Sequence, residues 1–312
     1  MNIGLDIMGG DFAPEAIVLG AIEAQKEIPS EHTITLVGDS VAAKKILERE
    51  GVNSSLFSFV HTTEVIEMAD HATKAMRAKQ DSSINVGFKL LSQGKLDAFS
   101  SAGNSGAMLI GSMFAVRPIA GVIRPCITSV LPKESGGVGV ILDVGINADC
   151  KPDVLYQFAI LGSLYAEFVF NVKDPKVGLL NIGEEKEKGN LLAQATHELM
   201  EGTDDFNFVG NIEGRDIFND KADVVVCDGF TGNVILKEAE AFYSLIAKRG
   251  LIDDYFSRFN YENYGGTPVL GVNGNVLIGH GISNAKAIKN MLNLSLNLAQ
   301  ADLPNKIKKA FK

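Results

Sequence analysis

Short apolar runs alternate along this chain with longer segments whose apolar positions recur at helical spacing. Residues 3–8 form the first apolar run, 14–27 the first helical stretch and 33–37 the next run, which predicts a strand, a helix and a second strand. The rhythm continues with a helix at 84–93, a strand at 98–101 and a helix at 105–116. Pro118, Pro125 and Pro132 then break the pattern. Beyond them, strands at 138–142 and 177–181 flank a helix at 153–170, and a helix at 188–200 precedes short strands at 207–209 and 223–227. Helix 233–248, strand 276–278 and helix 285–298 complete the series. In the last helix, Ala285, Ile288, Met291, Leu292, Leu296 and Leu298 fall on or near one stripe. Such alternation predicts an α/β fold with a mostly parallel sheet covered on both faces, whose ligands sit beyond the carboxyl ends of the strands. Two lobes are expected, residues 1–125 with 276–312 and residues 126–275.

Glycine-rich polar segments fall at those strand ends and carry the candidate chemistry. Asp6, Gly9, Gly10 and Asp11 close the first strand, just before Pro14, which suits a first helical turn. The glycine pair lets backbone amides approach a ligand; the carboxylates are either part of that site or caps of the coming helix. Ser101, Gly103, Asn104, Ser105 and Gly106 lie between a strand and a helix. Amides at a helix start carry partial positive charge, and the serine and asparagine side chains can bond phosphate oxygens; a plain helix-start turn is the alternative. Arg124 is either a fork for two phosphate oxygens or a surface arginine. Asp143, Gly145 and Asn147 end another strand. Residues 181–190 pack three glutamates and two lysines into a loop that is either simply solvated or placed to neutralise a dianion. Residues 228–233 repeat the arrangement and offer the Asn233 amide, and His280 and Ser283 follow the last strand. His280 is read as a general acid or base, or as a structural residue.

Composition narrows the function. Apolar residues make up 46% and charged residues 21%, and 32 glycines imply many tight turns. A net charge of −9 argues against a broad nucleic-acid footprint. The longest apolar stretch, 158–170, is broken by Glu167 and falls short of the roughly 20 residues of a spanning helix, so no integral membrane segment is expected. The opening residues MNIGLDIMGGDF lack the regions of a secretory signal, so a cytoplasmic location is expected. Cys126, Cys150 and Cys227 are too few and scattered for a disulfide framework or zinc site, and are expected to be buried small hydrophobes. No P-loop, dinucleotide fingerprint, HExxH or GxSxG pattern occurs, so neither a cofactor nor a metal is expected.

Residues 6–14, 101–107, 142–147, 181–190, 210–216, 228–233, 264–266 and 280–283 together resemble, in order and over essentially the whole chain, the phosphate acyltransferase family. The resemblance implies transfer of a long-chain acyl group from acyl carrier protein to inorganic phosphate, giving acyl phosphate for phosphatidic acid synthesis. It also implies a homodimer and a three-layer fold similar to isocitrate and isopropylmalate dehydrogenases and to phosphotransacetylase. Lys188, in Lys-Gly-Asn, and Asn233, in Gly-Phe-x-Gly-Asn, match the family's catalytic positions. They are assigned to phosphate positioning and to hydrogen bonding of the thioester carbonyl. Asp6, Gly9, Gly10, Asp11, Ser101, Gly103, Asn104, Ser105, Gly106, Arg124, Asn147, His280 and Ser283 become phosphate- or substrate-binding residues. The alternatives are a phosphotransacetylase-like enzyme using coenzyme A thioesters, and a non-catalytic protein that binds acyl carrier protein or a ligand.

Two departures from the family pattern stand out. Ile146 replaces a small residue before Asn147, and the segment between Glu240 and Tyr264 is shorter than in relatives with a membrane-touching tip. Phe242, Leu245, Ile246, Leu251, Ile252, Tyr255 and Phe256 form either an amphipathic surface element for peripheral membrane contact or a dimer-packing helix pair, within about 233–263. Because acyl carrier proteins are acidic, Lys248, Arg249 and Arg258 are the expected contacts for carrier or membrane.

Overall fold

In the computed structural model, which describes residues Met1–Lys312, the first elements are β1 (Asn2–Asp6), α1 (Glu15–Glu27), β2 (Thr33–Gly38), α2 (Ser40–Arg49) and β3 (Phe57–His61). Next come α3 (Ala72–Ala78), α4 (Ser83–Ser92), β4 (Ala98–Ser101) and α5 (Ser105–Gly111), which continues as a π-helical turn, Ser112–Val116. The middle of the chain forms β5 (Cys126–Pro132), β6 (Val138–Leu142), α6 (Pro152–Phe170), β7 (Lys176–Leu180), α7 (Leu191–Met200), β8 (Asn207–Ile212), β9 (Val224–Val226) and α8 (Gly229–Lys248). The chain closes with β10 (Thr267–Leu270), β11 (Asn275–Ile278), α9 (Ala285–Ala301) and α10 (Leu303–Ala310). Two units result, Met1–Pro118 with Tyr261–Pro304, and Ile119–Asn260 with Asn305–Lys312.

The first unit is built on strands in the order β3-β2-β1-β4-β11-β10. All neighbours run parallel except β10, which returns antiparallel to β11. From β1 the chain winds outward through β2 and β3, then returns to β4 on β1's other side. The loops after β1 and β4 therefore flank a topological switch point, where open α/β sheets hold ligands. Strands β1, β2 and β4 are buried almost throughout, and β4 ends in two buried serines, Ser100 and Ser101.

The second unit has the order β5-β6-β9-β7-β8, parallel except for the β5–β6 pair. Helix α6 packs on β6, β7 and β9 and buries Leu155, Phe158, Leu161 and Tyr165. By length and composition α6 could cross a membrane, but half of that stretch is buried inside the protein, the mark of a core helix. Ile141, Val225, Ile212 and Cys227 form a further core cluster, against which Ile235 and Leu236 of α8 pack.

The α/β class and the largely parallel pairing agree with the sequence reading, and several boundaries differ. Strand β5 lies where prolines suggested only a break; Pro132 is accommodated because it ends the strand. Strand β10 is too short for periodicity to reveal, and it brings the return to the first unit forward to Tyr261, ahead of residue 276. Residues 305–312 belong with the second unit. Asp11 does not cap α1, whose start has no side-chain cap. Cys126 and Cys227 are buried as expected, but Cys150 is only partly so.

Candidate active site

In the first unit, the loops after β1, β4 and β11 converge. Asp6 at the end of β1 is wholly buried and accepts bonds from Ser101 Oγ (2.6 Å) and the Met8 amide (2.9 Å). Burial pushes its carboxyl above the ordinary range, against the opposing pull of bonds from Ser101, Ser83, Met8 and Gly9. Ser101 Oγ also accepts from Gly103 N at 2.9 Å. The two loops touch so closely that a Cβ on Gly9 would lie 2.6 Å from Gly103 N. Gly10 takes a φ of 108°, and Asp11 N donates to Gly281 O at 2.7 Å, tying the third loop in.

Asn104 caps α5 through Ala107 N (3.0 Å), and its amide donates to the carbonyls of Glu67, Met68 and Asp70. Its polar atoms therefore hold the fold. Ser105, exposed at the first position of α5, and Gly106 after it present the outward-facing groups of that turn. His280 stacks edge-on to Tyr261 with ring centroids 4.9 Å apart, and the Ser283 hydroxyl is buried without a hydrogen-bond partner.

In the second unit, Asp143 ends β6 fully buried, with Asn147 N at 2.6 Å, Asn147 Nδ2 at 2.9 Å and Ile127 N at 3.1 Å from its carboxylate. Burial raises this carboxyl too, and the same bonds oppose the rise. Asn147 also donates to Pro125 O (2.9 Å), so its amide fastens loops together. Helix α8 starts at Gly229, four residues before the periodic pattern begins, because Asp228 caps it: its carboxylate accepts from Thr231 N (2.8 Å) and Thr231 Oγ1 (3.0 Å). Gly229 and Gly232 let this first turn press onto the loop after β6; a Cβ on Gly232 would stand 2.0 Å from Asp143 O. Asn233 consequently sits in the second turn of α8, half-buried, with Nδ2 3.4 Å from Val144 O. That contact is long, which leaves the amide available to a ligand.

Lys188 lies in the loop before α7, which begins at Leu191 behind its cap Asn190. The loop is rigid where the lysine is attached. Lys188 N donates to Glu185 O (3.1 Å), and Asn181 Nδ2 donates to Lys188 O (3.1 Å). Asn211, itself against His197 Nδ1 at 3.0 Å, donates to Glu185 O (2.9 Å). Among the described residues, Lys186, Lys221 and Arg215 pair with glutamates, whereas Lys188 makes no ion pair. Its side chain is exposed and its stem passes over Gly183.

A cavity of about 470 Å³ opens beside this loop, at the carboxyl ends of β7 and β9, within the size range of small-molecule sites. Its buried lining is Leu155, Leu179 and Cys227, and its exposed lining includes Ile182.

Two arginines are engaged elsewhere. Arg124 donates to Asp149 O (2.9 Å), and Arg258 donates to the carbonyls of Lys133 and Gly137 and lies 6.0 Å from the Tyr255 ring centre. Lys248 and Arg249 are exposed at the end of α8. Asp143, Asp228, Asn181 and Asn211 organise the site, and the sequence marks them only as members of its strand-end loops. The Asp-x-x-Thr spacing at 228–231 was the readable capping signal; the burial of Asp143 and Asn211 has no local signal.

Residues 1–249 match the family described as "Fatty acid synthesis protein". The chain is 43% identical to the phosphate acyltransferase of Dictyoglomus turgidum, covering 98% of this chain and 96% of that one. It is 42% identical to the phosphate acyltransferase of Clostridioides difficile, covering 96% and 93%. Among solved structures, a phosphotransacetylase from Streptococcus pyogenes is similar with a TM-score of 0.68 at 16% identity, over 96% of this chain and 94% of that one. A branched-chain phosphotransacylase from Enterococcus faecalis gives 0.65 at 14% identity, over 96% and 99%. Those likenesses establish a phosphotransacetylase-like fold. The full-length identity to the curated relatives establishes more: the chain belongs to the phosphate acyltransferase family.

Proposed function

We propose that this enzyme transfers a long-chain acyl group from acyl carrier protein to inorganic phosphate, with Lys188 and Asn233 as its catalytic residues. The observation that carries the assignment lies within the second unit. An exposed lysine without an ion pair sits on a pinned loop, and an asparagine donor sits on a helix turn pressed onto the loop after β6. Phosphate is already a nucleophile, so the protein must hold its oxygens, align them on the carbonyl and stabilise the developing oxyanion. A phosphate oxygen attacks the thioester carbon while Asn233 Nδ2 hydrogen-bonds the carbonyl oxygen and Lys188 balances the dianion's charge. As the tetrahedral species collapses, the C–S bond breaks, and the proton carried by the phosphate ends on the departing thiol.

In this reading Ser105, Gly106, Gly10 and Asp11 are assigned to binding of phosphate or substrate. Asp6, Gly9, Ser101, Gly103, Asn104 and Asn147 serve by fixing loop geometry. Arg124, His280 and Ser283 are assigned to the periphery of substrate binding. The isocitrate and isopropylmalate dehydrogenase-like, three-layer architecture belongs to the same proposal, as do a homodimer and a cytoplasmic enzyme with peripheral membrane contact. Phe242 (56% exposed), Leu245 and Leu251 supply apolar surface for a partner subunit or membrane. Lys248 and Arg249 supply local cations for an acidic carrier; Arg258, tied to two carbonyls, is the weaker contact.

The test compares acyl-carrier-protein and coenzyme A thioesters of one long acyl group as donors to phosphate, with Lys188→Ala and Asn233→Ala alongside. Preference for the carrier-protein donor and a loss of about a hundredfold or more in each variant are expected. Equal use of both donors, or variants within a few-fold of wild type, would refute the corresponding part.

A further inference from the structure

We infer that the cavity at the ends of β7 and β9 is the binding site for the donor's acyl chain, and that its closed end sets the preferred chain length. The inference rests on the proposed transfer of a long acyl group and adds where that chain goes. Leu155 of α6, Leu179 of β7 and Cys227 after β9 are 1–4% exposed and close the cavity. Leu192 and Ile235 form half-buried walls. Ile182 lies in the exposed lining, at 80% exposure, and Leu191, two residues past the lining Gly189, is 86% exposed. This apolar lip has no covering residue in the chain's own fold, and side chains so exposed gain from an apolar ligand laid across them.

Most of the polar side-chain groups in the lining are already engaged. Asn181 accepts from Ile182 N and donates to Lys188 O, Asn190 accepts from Ala193 N, and Asp228 accepts twice from Thr231. A polar ligand would find most of these groups engaged, whereas a hydrocarbon asks nothing of them.

Position points the same way. Lys188 directly precedes the lining Gly189, and Asn233 is two residues beyond the lining Thr231. A chain seated in the cavity therefore lies against the loop that carries Lys188 and against the helix that carries Asn233. Each methylene seated there strengthens binding by up to about fourfold, so space for two methylenes corresponds to up to about fifteenfold in preference between chain lengths.

Two measurements test this. First, the wild-type enzyme is irradiated with a long-chain fatty acid carrying a diazirine at its terminal carbon, which requires no turnover, and the labelled peptides are mapped by mass spectrometry. Label on the segments containing Leu155, Leu179 or Ile235 is expected. Label confined to other surfaces, such as the exposed Phe242 and Leu245, would overturn the assignment.

Second, kcat/KM is compared for short and long acyl donors in Leu192→Trp, which fills the cavity, and Leu155→Ala, which deepens it. The long-to-short ratio should fall about tenfold in the first and rise in the second. An unchanged ratio in both would overturn the inference, and if either variant fails to fold, the wild-type labelling decides. Failure of wild type to form acyl phosphate would refute the proposed function without altering the labelling result.

Discussion

Replacing Gly232 by alanine should damage the enzyme even though the position lies inside a helix. Alanine is ordinarily better than glycine there by about 1 kcal/mol. Here the added Cβ would stand 2.0 Å from Asp143 O and 3.0 Å from Cys227 Sγ, against an ordinary contact beginning at 3.4 Å. About 1.4 Å must be taken up by backbone, since the nearest obstacle is a carbonyl rather than a flexible side chain. Overpacking of this kind costs about 1–3 kcal/mol, and a rigid obstacle puts it at the upper end, so the net loss of stability is about 1–2 kcal/mol. Either α8 or the loop after β6 moves, and Asn233 is the next residue. A displacement near 1 Å at a positioned group costs about a hundredfold in rate. Urea unfolding and the rate of acyl phosphate formation report the two effects, with Gly137→Ala, whose nearest obstacle is 4.0 Å away, as the control. A Gly232→Ala enzyme as stable and active as wild type would refute the packing of α8 on Asp143.

Three further outcomes follow from the same geometry. Burial holds both Cys126 and Cys227 thiols well above the ordinary range, and burial, with Asp143 and Asp228 nearby, lifts Cys150 to about 11; native protein should resist iodoacetamide at pH 8 by mass spectrometry, and rapid labelling there would contradict the burial. The folded Asp6 carboxyl titrates above its unfolded value of about 3.9, so stability linked to its protonated form is complete below about pH 4 and lost as pH rises through the folded pKa. The stability of wild type minus that of Asp6→Asn should accordingly fall from acid to neutral pH in urea titrations, and a rise would reverse the assignment. Asn211→Leu leaves Glu185 O and His197 without their partner, costing about 1–3 kcal/mol, and should weaken phosphate dependence more than donor dependence through the Lys188 loop; equal loss in both would reduce Asn211 to a purely structural role.

The buried strands were readable because parallel sheets covered on both faces give continuous apolar runs, as in residues 3–6 and 138–142. Strand β10 and proline-terminated β5 carry too few residues for such a signal. The helix starts erred in opposite directions for one reason. Capping residues, not apolar period, set them: Asp228 starts α8 early and Asn190 starts α7 late, leaving Lys188 in a loop.

The strand-end loops were legible in the sequence as glycine-rich polar segments, but the use of each polar atom was not. Asn104 and Asn233 look alike as sequence, yet the first spends its amide on three carbonyls and the second makes one long contact. Arg258 was read as a docking cation, whereas tertiary structure ties it to the β5–β6 turn. Such differences depend on residues 34 to 125 positions apart, beyond the reach of local pattern.

The central claim is most directly tested by incubating the enzyme with a long-chain acyl carrier protein thioester, with and without inorganic phosphate, and detecting the product by mass. The account predicts acyl phosphate and free carrier thiol in equal amounts, formed only when phosphate is present. Intact thioester under both conditions, or release of free fatty acid independent of phosphate, would contradict it.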